Sequence, residues 1–173
     1  YPGVKINGFN ALGPAEEIVI EDSNRLARGP AYADAPMLAA IRHGTNDWPM
    51  YRHDAQRSGS SNSTLSVEPK MHWKTKLKGR LTPPVFANGQ VLVARKDALT
   101  LYALDAKNGE IQWQFTTGGP IDSPPTISGG LVLFGSADGW CYCLRAEDGE
   151  LAWRFRAAPC ERRIIVNDRL ESP

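Results

Sequence analysis

From residue 84 onward the chain alternates short apolar runs with breaks rich in Gly, Asn and Asp. Val91 and Val93 fall on one side of an extended segment, and Leu92 and Ala94 on the other. That period of two is the mark of a strand. The pattern predicts strands over residues 84–87, 91–95, 100–105 and 111–117, and again over 125–128, 132–135, 140–145 and 151–156. Between them stand Asn88-Gly89, Asn108-Gly109, Gly129-Gly130, Asp138-Gly139 and Asp148-Gly149. Gly and Asn tolerate positive φ, so these pairs favour two-residue hairpins. Only Lys96-Asp97-Ala98 lacks the glycine.

The two groups of strands are copies of each other. Trp73, Trp113 and Trp153 recur at a period of 40 residues, and Asn-Gly-Glu before Trp113 returns as Asp-Gly-Glu before Trp153. Pro83-Pro84 returns as Pro124-Pro125, now 41 residues on, which implies a one-residue deletion inside the repeat. Four strands in about 40 residues, repeated with tight turns, match the arithmetic of a propeller blade. A sandwich or plain meander would rarely keep a fixed sequence period. The fold expected is all-β: a β-propeller of four-stranded antiparallel blades, about two blades plus one extra strand, with a loop-rich N-terminal segment.

The rest of the chain divides around this repeat. Residues 1–46 lack it and read as a loop-rich segment, with a short strand at 18–20 and a short helix over 33–42. In that helix Asp34 stands near the start, Pro36 lies in the first turn, and His43-Gly44 end it. Residues 47–64 read as a lead-in strand and a polar linker. Residues 65–80 hold the last strand of a preceding blade, over 70–77 around Trp73. The blade repeats are 81–121 and 122–162, and 163–173 begins a connection to a further blade.

Composition narrows the function classes. The net charge of +1 gives no electrostatic footprint for nucleic acid, and the apolar runs fall far short of the ~20 residues that cross a bilayer. The chain begins at Tyr1 with nothing like a signal peptide near it. That suggests a removed targeting segment or an internal stretch of a longer protein. Cys141, Cys143 and Cys160 are too few for a disulfide framework. Cys141 and Cys143 align with Leu101 and Ala103 as small buried hydrophobes, and a bond from either to Cys160 stays open.

The run 103–113, with Ala103, Asp105, Asn108, Gly109 and Trp113, resembles the tryptophan-docking motif of quinoprotein propellers. The second repeat keeps Gly149 and Trp153. It departs at Cys143 for Ala, Arg145 for Asp and Asp148 for Thr. The resemblance implies that each indole lies between neighbouring blades and covers a peptide plane of the next sheet. The docking residues it marks are Trp73, Ala103, Asp105, Asn108, Gly109, Trp113, Gly149 and Trp153. Burying one Trp removes about 150–250 Å² from water, worth several kcal/mol before entropy. The stretch 47–54, followed by Arg57-Ser58-Gly59, is similar to the lead-in strand of quinoprotein alcohol dehydrogenases. It is equally similar to their non-catalytic relatives in bacterial outer-membrane assembly. Segments 7–13 and 28–32 resemble large bacterial proteins with such repeats, which implies that residues 1–47 join two sectors of a longer propeller.

A quinoprotein dehydrogenase needs a catalytic Asp, a Ca²⁺ held by Glu and Asn oxygens, and pyrroloquinoline quinone near the ring axis. No such constellation is recognisable in this sequence. His43, His53 and His72 share no ligand spacing, and Glu16, Glu17, Glu21 and Asp22 read as a solvated face. Closed propellers use typically about four to eight blades, so two blades need the rest of a ring, from missing sequence or other chains. The expected function is a non-catalytic scaffold or binding platform. The alternative is a fragment of a quinone-dependent dehydrogenase whose active site lies outside this segment. In that case alone the cofactors would be pyrroloquinoline quinone and Ca²⁺. A carbohydrate-binding propeller has only the aromatics Tyr1, Tyr32 and Tyr51 in its favour. The resemblance implies a periplasmic or extracellular location.

Overall fold

A computed structural model describes residues 24–64, 66–159, 164–166 and 169–172. Two antiparallel sheets carry the repeat. In the first, β2 (Val85–Ala87), β3 (Gln90–Arg95), β4 (Thr100–Asp105) and β5 (Ile111–Thr116) lie in sequence order. In the second, β6 (Thr126–Ser128), β7 (Leu131–Gly135), β8 (Trp140–Arg145) and β9 (Leu151–Arg156) do the same. Each sheet is a propeller blade, and the described residues form no closed barrel.

The second sheet has a fifth strand that the pattern did not predict. β1 (Leu26–Arg28) runs antiparallel along β9, pairing Leu26 with Phe155 and Arg28 with Trp153. It covers what would otherwise be an open strand edge. The expected strand at 18–20 lies outside the described residues. The expected helix is shorter than residues 33–42: a 3₁₀ turn over Pro30–Asp34 leads into α1 (Ala35–Ala39). His43 does not end the helix. Its Nε2 instead accepts from the Gly129 N–H at 3.0 Å.

Two further expectations need correction. Residues 70–77 form no strand, because none of the described residues supplies them a ladder of their own. The lead-in strand is reduced to one bridge, Trp48 to Phe86, closed by N–H···O bonds of 2.7 and 2.9 Å. Pro49 O then accepts from the Ile127 N–H at 2.7 Å, so this segment links the innermost strands of both blades. At the far end, β10 (Ile164–Val166) and β11 (Arg169–Glu171) form a hairpin.

The turns follow their chemistry. Asn88-Gly89 makes a two-residue hairpin with both φ positive, at 53° and 76°. Asn108-Gly109 and Asp148-Gly149 sit inside longer corners, because a register shift after Ala103 and after Cys143 adds a bulge to each. The deletion falls in the hairpin without glycine. Residues 96–99 in the first blade stand where 137–139 suffice in the second. Leu99 is forced to φ 55°, the role that Gly139 takes at φ 88°.

One apolar cluster joins the sheets, with Leu92, Ala94, Leu101 and Trp113 from the first meeting Val132, Phe134, Tyr142 and Leu144 from the second. Phe115 meets Phe134 and Tyr142 edge-on at 6.3 and 5.6 Å.

Candidate functional site

Period-two geometry sorts each sheet into two faces. In the first sheet, cross-strand rows Leu92–Ala103–Trp113 and Ala94–Leu101–Phe115 face the second sheet. Their counterparts in the second sheet are Leu133–Cys143–Trp153 and Gly135–Cys141–Phe155, which face away from the first. Two kinds of surface result: blade corners that receive an indole, and a face on which no blade lies among the described residues.

The corners share one geometry. Trp73 Nε1 donates to Ala106 O at 2.8 Å, and Trp113 Nε1 donates to Ala146 O at 2.8 Å. Under each ring lies a glycine with φ near 75°: Gly109 beneath Trp73 and Gly149 beneath Trp113. A Cβ on Gly149 would stand 2.5 Å from Trp113 Cε3, so the close approach requires glycine. Thr75 Oγ1 adds a bond to Gly109 O at 2.5 Å. Ala103 is fully buried against Trp113. Asp105 Oδ1 accepts from the Lys107 N–H at 2.6 Å, and Asn108 Oδ1 from the Glu110 N–H at 2.9 Å, closing the first corner.

The second corner departs where its sequence does. Arg145, in the place of Asp105, bonds Asp148 at 2.9 and 2.6 Å and Glu150 at 2.6 Å, and reaches Asp34 at 2.7 Å. The Asp148 carboxylate, and with it Glu150 and Asp34, holds the guanidinium protonated more firmly than usual. Arg145 thus ties the N-terminal segment to the corner.

Trp153 meets no blade corner among the described residues. It packs instead beside Ala31, Cys143 and Ala152, with Ala35 and Leu38 adjoining. Gly29 N donates to Ala152 O and Gly130 N to Leu38 O, both at 2.8 Å. Residues 30–39 therefore lie on the outward face of the second sheet and cover part of it.

The remainder of that face is an open trough. Its outer end, about 330 Å³, is lined by Leu26, Tyr32, Trp153 and Phe155. Its inner end, about 700 Å³, is bounded by Tyr51, Arg52, Arg57, Asp122 and Ser123, with Asp122 also 3.6 Å from Lys96 Nζ. Cys141 borders both. Phe155 is 38% exposed, whereas its counterpart Phe115 packs into the core between the sheets.

The inner rim is a loop of unusual backbone. Arg52, His53 and Arg57 all adopt left-handed backbone, with φ of 59°, 79° and 59°. Such residues persist only where their surroundings over-determine them. Asp54 does this by accepting from the Ser58 N–H at 3.0 Å and the Ser58 hydroxyl at 2.5 Å, and by contacting His53 Nδ1 at 3.3 Å. The Ser58 hydroxyl first, then its N–H, lower the Asp54 carboxyl to about 2.

The cysteines suit small apolar positions. Burial, then the neighbouring Cys141, raises the Cys143 thiol to about 12, and burial also raises Cys141. Both are free thiols, and Cys160 lies outside the described residues. Among the described residues no group of three or more His, Cys, Asp or Glu is placed to hold a metal ion. No helix of the described residues is long and apolar enough to cross a membrane. Tyr32 and Tyr51 border opposite ends of the trough, and Tyr1 lies outside the described residues. Sequence reasoning passed over Arg52 and Gly135. Only the 41-residue offset, which aligns Gly135 with Ala94, marks the gap in the trough floor.

These corners and paired sheets define a segment of a quinoprotein-like β-propeller. Residues 51–169 match the family model described as outer membrane protein assembly factor BamB, and the chain belongs to that family. Solved structures similar to it include the quinohemoprotein alcohol dehydrogenase of Comamonas testosteroni, at 17% identity and TM-score 0.55, over 74% of this chain and 23% of that one. Another is the quinohemoprotein alcohol dehydrogenase ADHIIG of Pseudomonas putida HK5, at 16% identity and TM-score 0.58, over 80% and 24%. BamB of Moraxella catarrhalis is 20% identical over 49% of this chain and 27% of its own, with TM-score 0.44. The chain spans about a quarter of the length of the solved structures it matches. No curated protein matches it.

Proposed function

We propose that this chain is a non-catalytic propeller segment that serves as a scaffold and binding platform, with the outward face of the second sheet as its contact surface. One contrast supports this reading. The row Ala94–Leu101–Phe115 is sealed by a neighbouring blade, while the matching row Gly135–Cys141–Phe155 meets no blade among the described residues and is left for a further contact. The docking residues Trp73, Gly109, Trp113 and Gly149 act between blades, and the partners they imply are further blades of the same propeller. Family membership favours a place outside the cytoplasm.

The alternative reading, a segment of a quinone-dependent alcohol dehydrogenase, draws on the likeness of fold alone. Ca²⁺ takes about six to eight oxygen ligands. The described residues bring no such acidic set together, so they do not fit that ion, and the alternative places the active site in further sequence. The test is dye reduction and equilibrium quinone binding with pyrroloquinoline quinone and Ca²⁺ added. The platform reading expects neither. Turnover or saturable quinone binding would overturn it.

A further inference from the structure

We infer that His43 is a pH-operated latch between the N-terminal segment and the second blade. Neutral, it holds the hairpin of β6 and β7 through Gly129; protonated, it lets go of Gly129 and turns to Asp47. Its bonding fixes the tautomer. Nε2 accepts from the Gly129 N–H at 3.0 Å, so that nitrogen carries no proton and the ring's single N–H hydrogen sits on Nδ1. A second proton can enter only at Nε2. It would set donor against donor, and the bond to Gly129 does not survive it.

The other side of the ring offers the alternative. Nδ1 is buried and reaches no hydrogen-bond partner among the described residues, and Asp47 Oδ2 stands 4.0 Å from it. That is about 1 Å beyond hydrogen-bond reach. Asp47 is held in place by the Gly44 N–H at 2.9 Å and the Asn88 N–H at 3.4 Å. An imidazolium is drawn to such a carboxylate, whereas the neutral ring satisfies the main-chain donor.

Opening acts on the segment and leaves the blades joined. Asn88 Nδ2 donates to Gly129 O at 3.2 Å, which ties the hairpins of the two blades to each other without His43. The segment itself lies close upon the second hairpin. A Cβ on Gly129 would collide with Leu38 O, and Leu38 O accepts from the Gly130 N–H at 2.8 Å. Residues 38 and 43 thus take two adjacent amides of one turn, and protonation removes one of the two bonds.

The surroundings leave the response to His43. The hairpins that face it, residues 87–89 and 128–130, hold no titratable side chain. On its own segment Arg42 is exposed and Asp47 is the carboxylate just described. Asp105, Lys107 and Glu147 line the adjoining cleft with Leu38 and Asn88. Histidine is the side chain that ordinarily changes charge between about pH 8 and about pH 5. The bond needs the neutral ring, so the latch holds at the upper end of that range and opens as pH falls through it. His53 is the rival switch, with its ring 5.0 Å from that of Trp48, which bridges the same segment to Phe86.

The test is NMR of the full chain across the same range. At the alkaline end the ring nitrogen shifts of His43 should show a bare Nε2 and a protonated Nδ1. As the ring takes up its second proton, the Gly129 amide should move with the same midpoint. Its exchange protection, corrected for the intrinsic pH dependence, should fall at least about tenfold. His43→Gln keeps an acceptor oxygen that takes up no proton, so it should hold Gly129 equally at both ends of the range. His53→Gln should leave the response in place. A proton on Nε2 at the alkaline end, a Gly129 amide indifferent to the titration of His43, or a response that survives His43→Gln overturns the inference. So does loss of the response in His53→Gln, which would make His53 the switch. So too does an equal fall in protection along β3 and β7, which would mean general unfolding.

Discussion

The indole N–H of Trp113 donates to the carbonyl oxygen of Ala146 at 2.8 Å, and Gly149 lies beneath the same ring at φ 75°. Donor, acceptor and glycine form one joint between the two blades. Its earlier copy joins Trp73 to Ala106 and Gly109.

Gly149→Ala strikes that joint twice. The new Cβ meets the Trp113 ring, and left-handed backbone costs a non-glycine residue about 1–2 kcal/mol by itself. Chemical denaturation followed by tryptophan fluorescence should show a loss above about 2 kcal/mol. Gly109→Ala should behave alike, because its Cβ would enter the ring of Trp73.

The hairpins at Leu99 and Gly139 predict an asymmetric pair. Gly139→Ala puts a Cβ 2.9 Å from that of Ala158 at φ 88°, and should destabilise by about 1–2 kcal/mol. Leu99→Gly relieves strain at φ 55° while adding chain entropy to the unfolded state. Its net change should stay within about 1 kcal/mol, read from the same denaturation curves.

Arg145→Asp restores the motif residue of the first corner yet should loosen the structure. It sets a further carboxylate among Asp34, Asp148 and Glu150 in place of the cation that joins them. Hydrogen exchange should rise in residues 26–39 and along β9, with β2–β5 unchanged. High salt on the unaltered chain should move exchange the same way, more weakly, since screening weakens ion pairs. Unchanged exchange in 26–39 would show that apolar packing alone holds the segment.

Asp54 sets an acid limit on the inner rim. Its folded value, about 2, lies below the ordinary 3.8, because Ser58 bonds favour the carboxylate. A lowered folded value gives stability that is fully present above the unfolded value and lost as pH falls through the folded one. The loop should therefore loosen as pH falls from about 4 towards 2. Carboxyl chemical shifts followed by NMR should place Asp54 there. Ser58→Ala should raise its midpoint and begin the loosening at higher pH.

Much of the fold was legible because its signals are local. Strand alternation at Val91–Ala94, the Asn88-Gly89 hairpin and the 40-residue spacing of tryptophans need no knowledge of distant contacts. The errors fell where local signals have no partner to act on. Residues 70–77 have a strand's composition and no neighbouring strand among the described residues, so they carry no ladder there. Residues 33–42 have a helical start, but α1 stops at Ala39, where the Ala40 N–H bonds Met37 O and the Ile41 N–H bonds Leu38 O in tighter turns, and Leu38 O also accepts from the Gly130 N–H of the second sheet.

The candidate site was the least legible part. Arg145 and Asp34 are 111 residues apart and Arg25 and Arg156 131, and neither separation leaves a mark in a short window. The amino-acid sequence by itself determined the blades, their turns and the glycines that receive an indole, because φ preference and side-chain period act between near neighbours. Tertiary structure alone decided that residues 24–39 would edge and partly cover the second sheet, and that Arg145 would tie this segment to the second corner through Asp34. That outcome depends on which distant surfaces meet, and burial rewards the meeting only once both are formed.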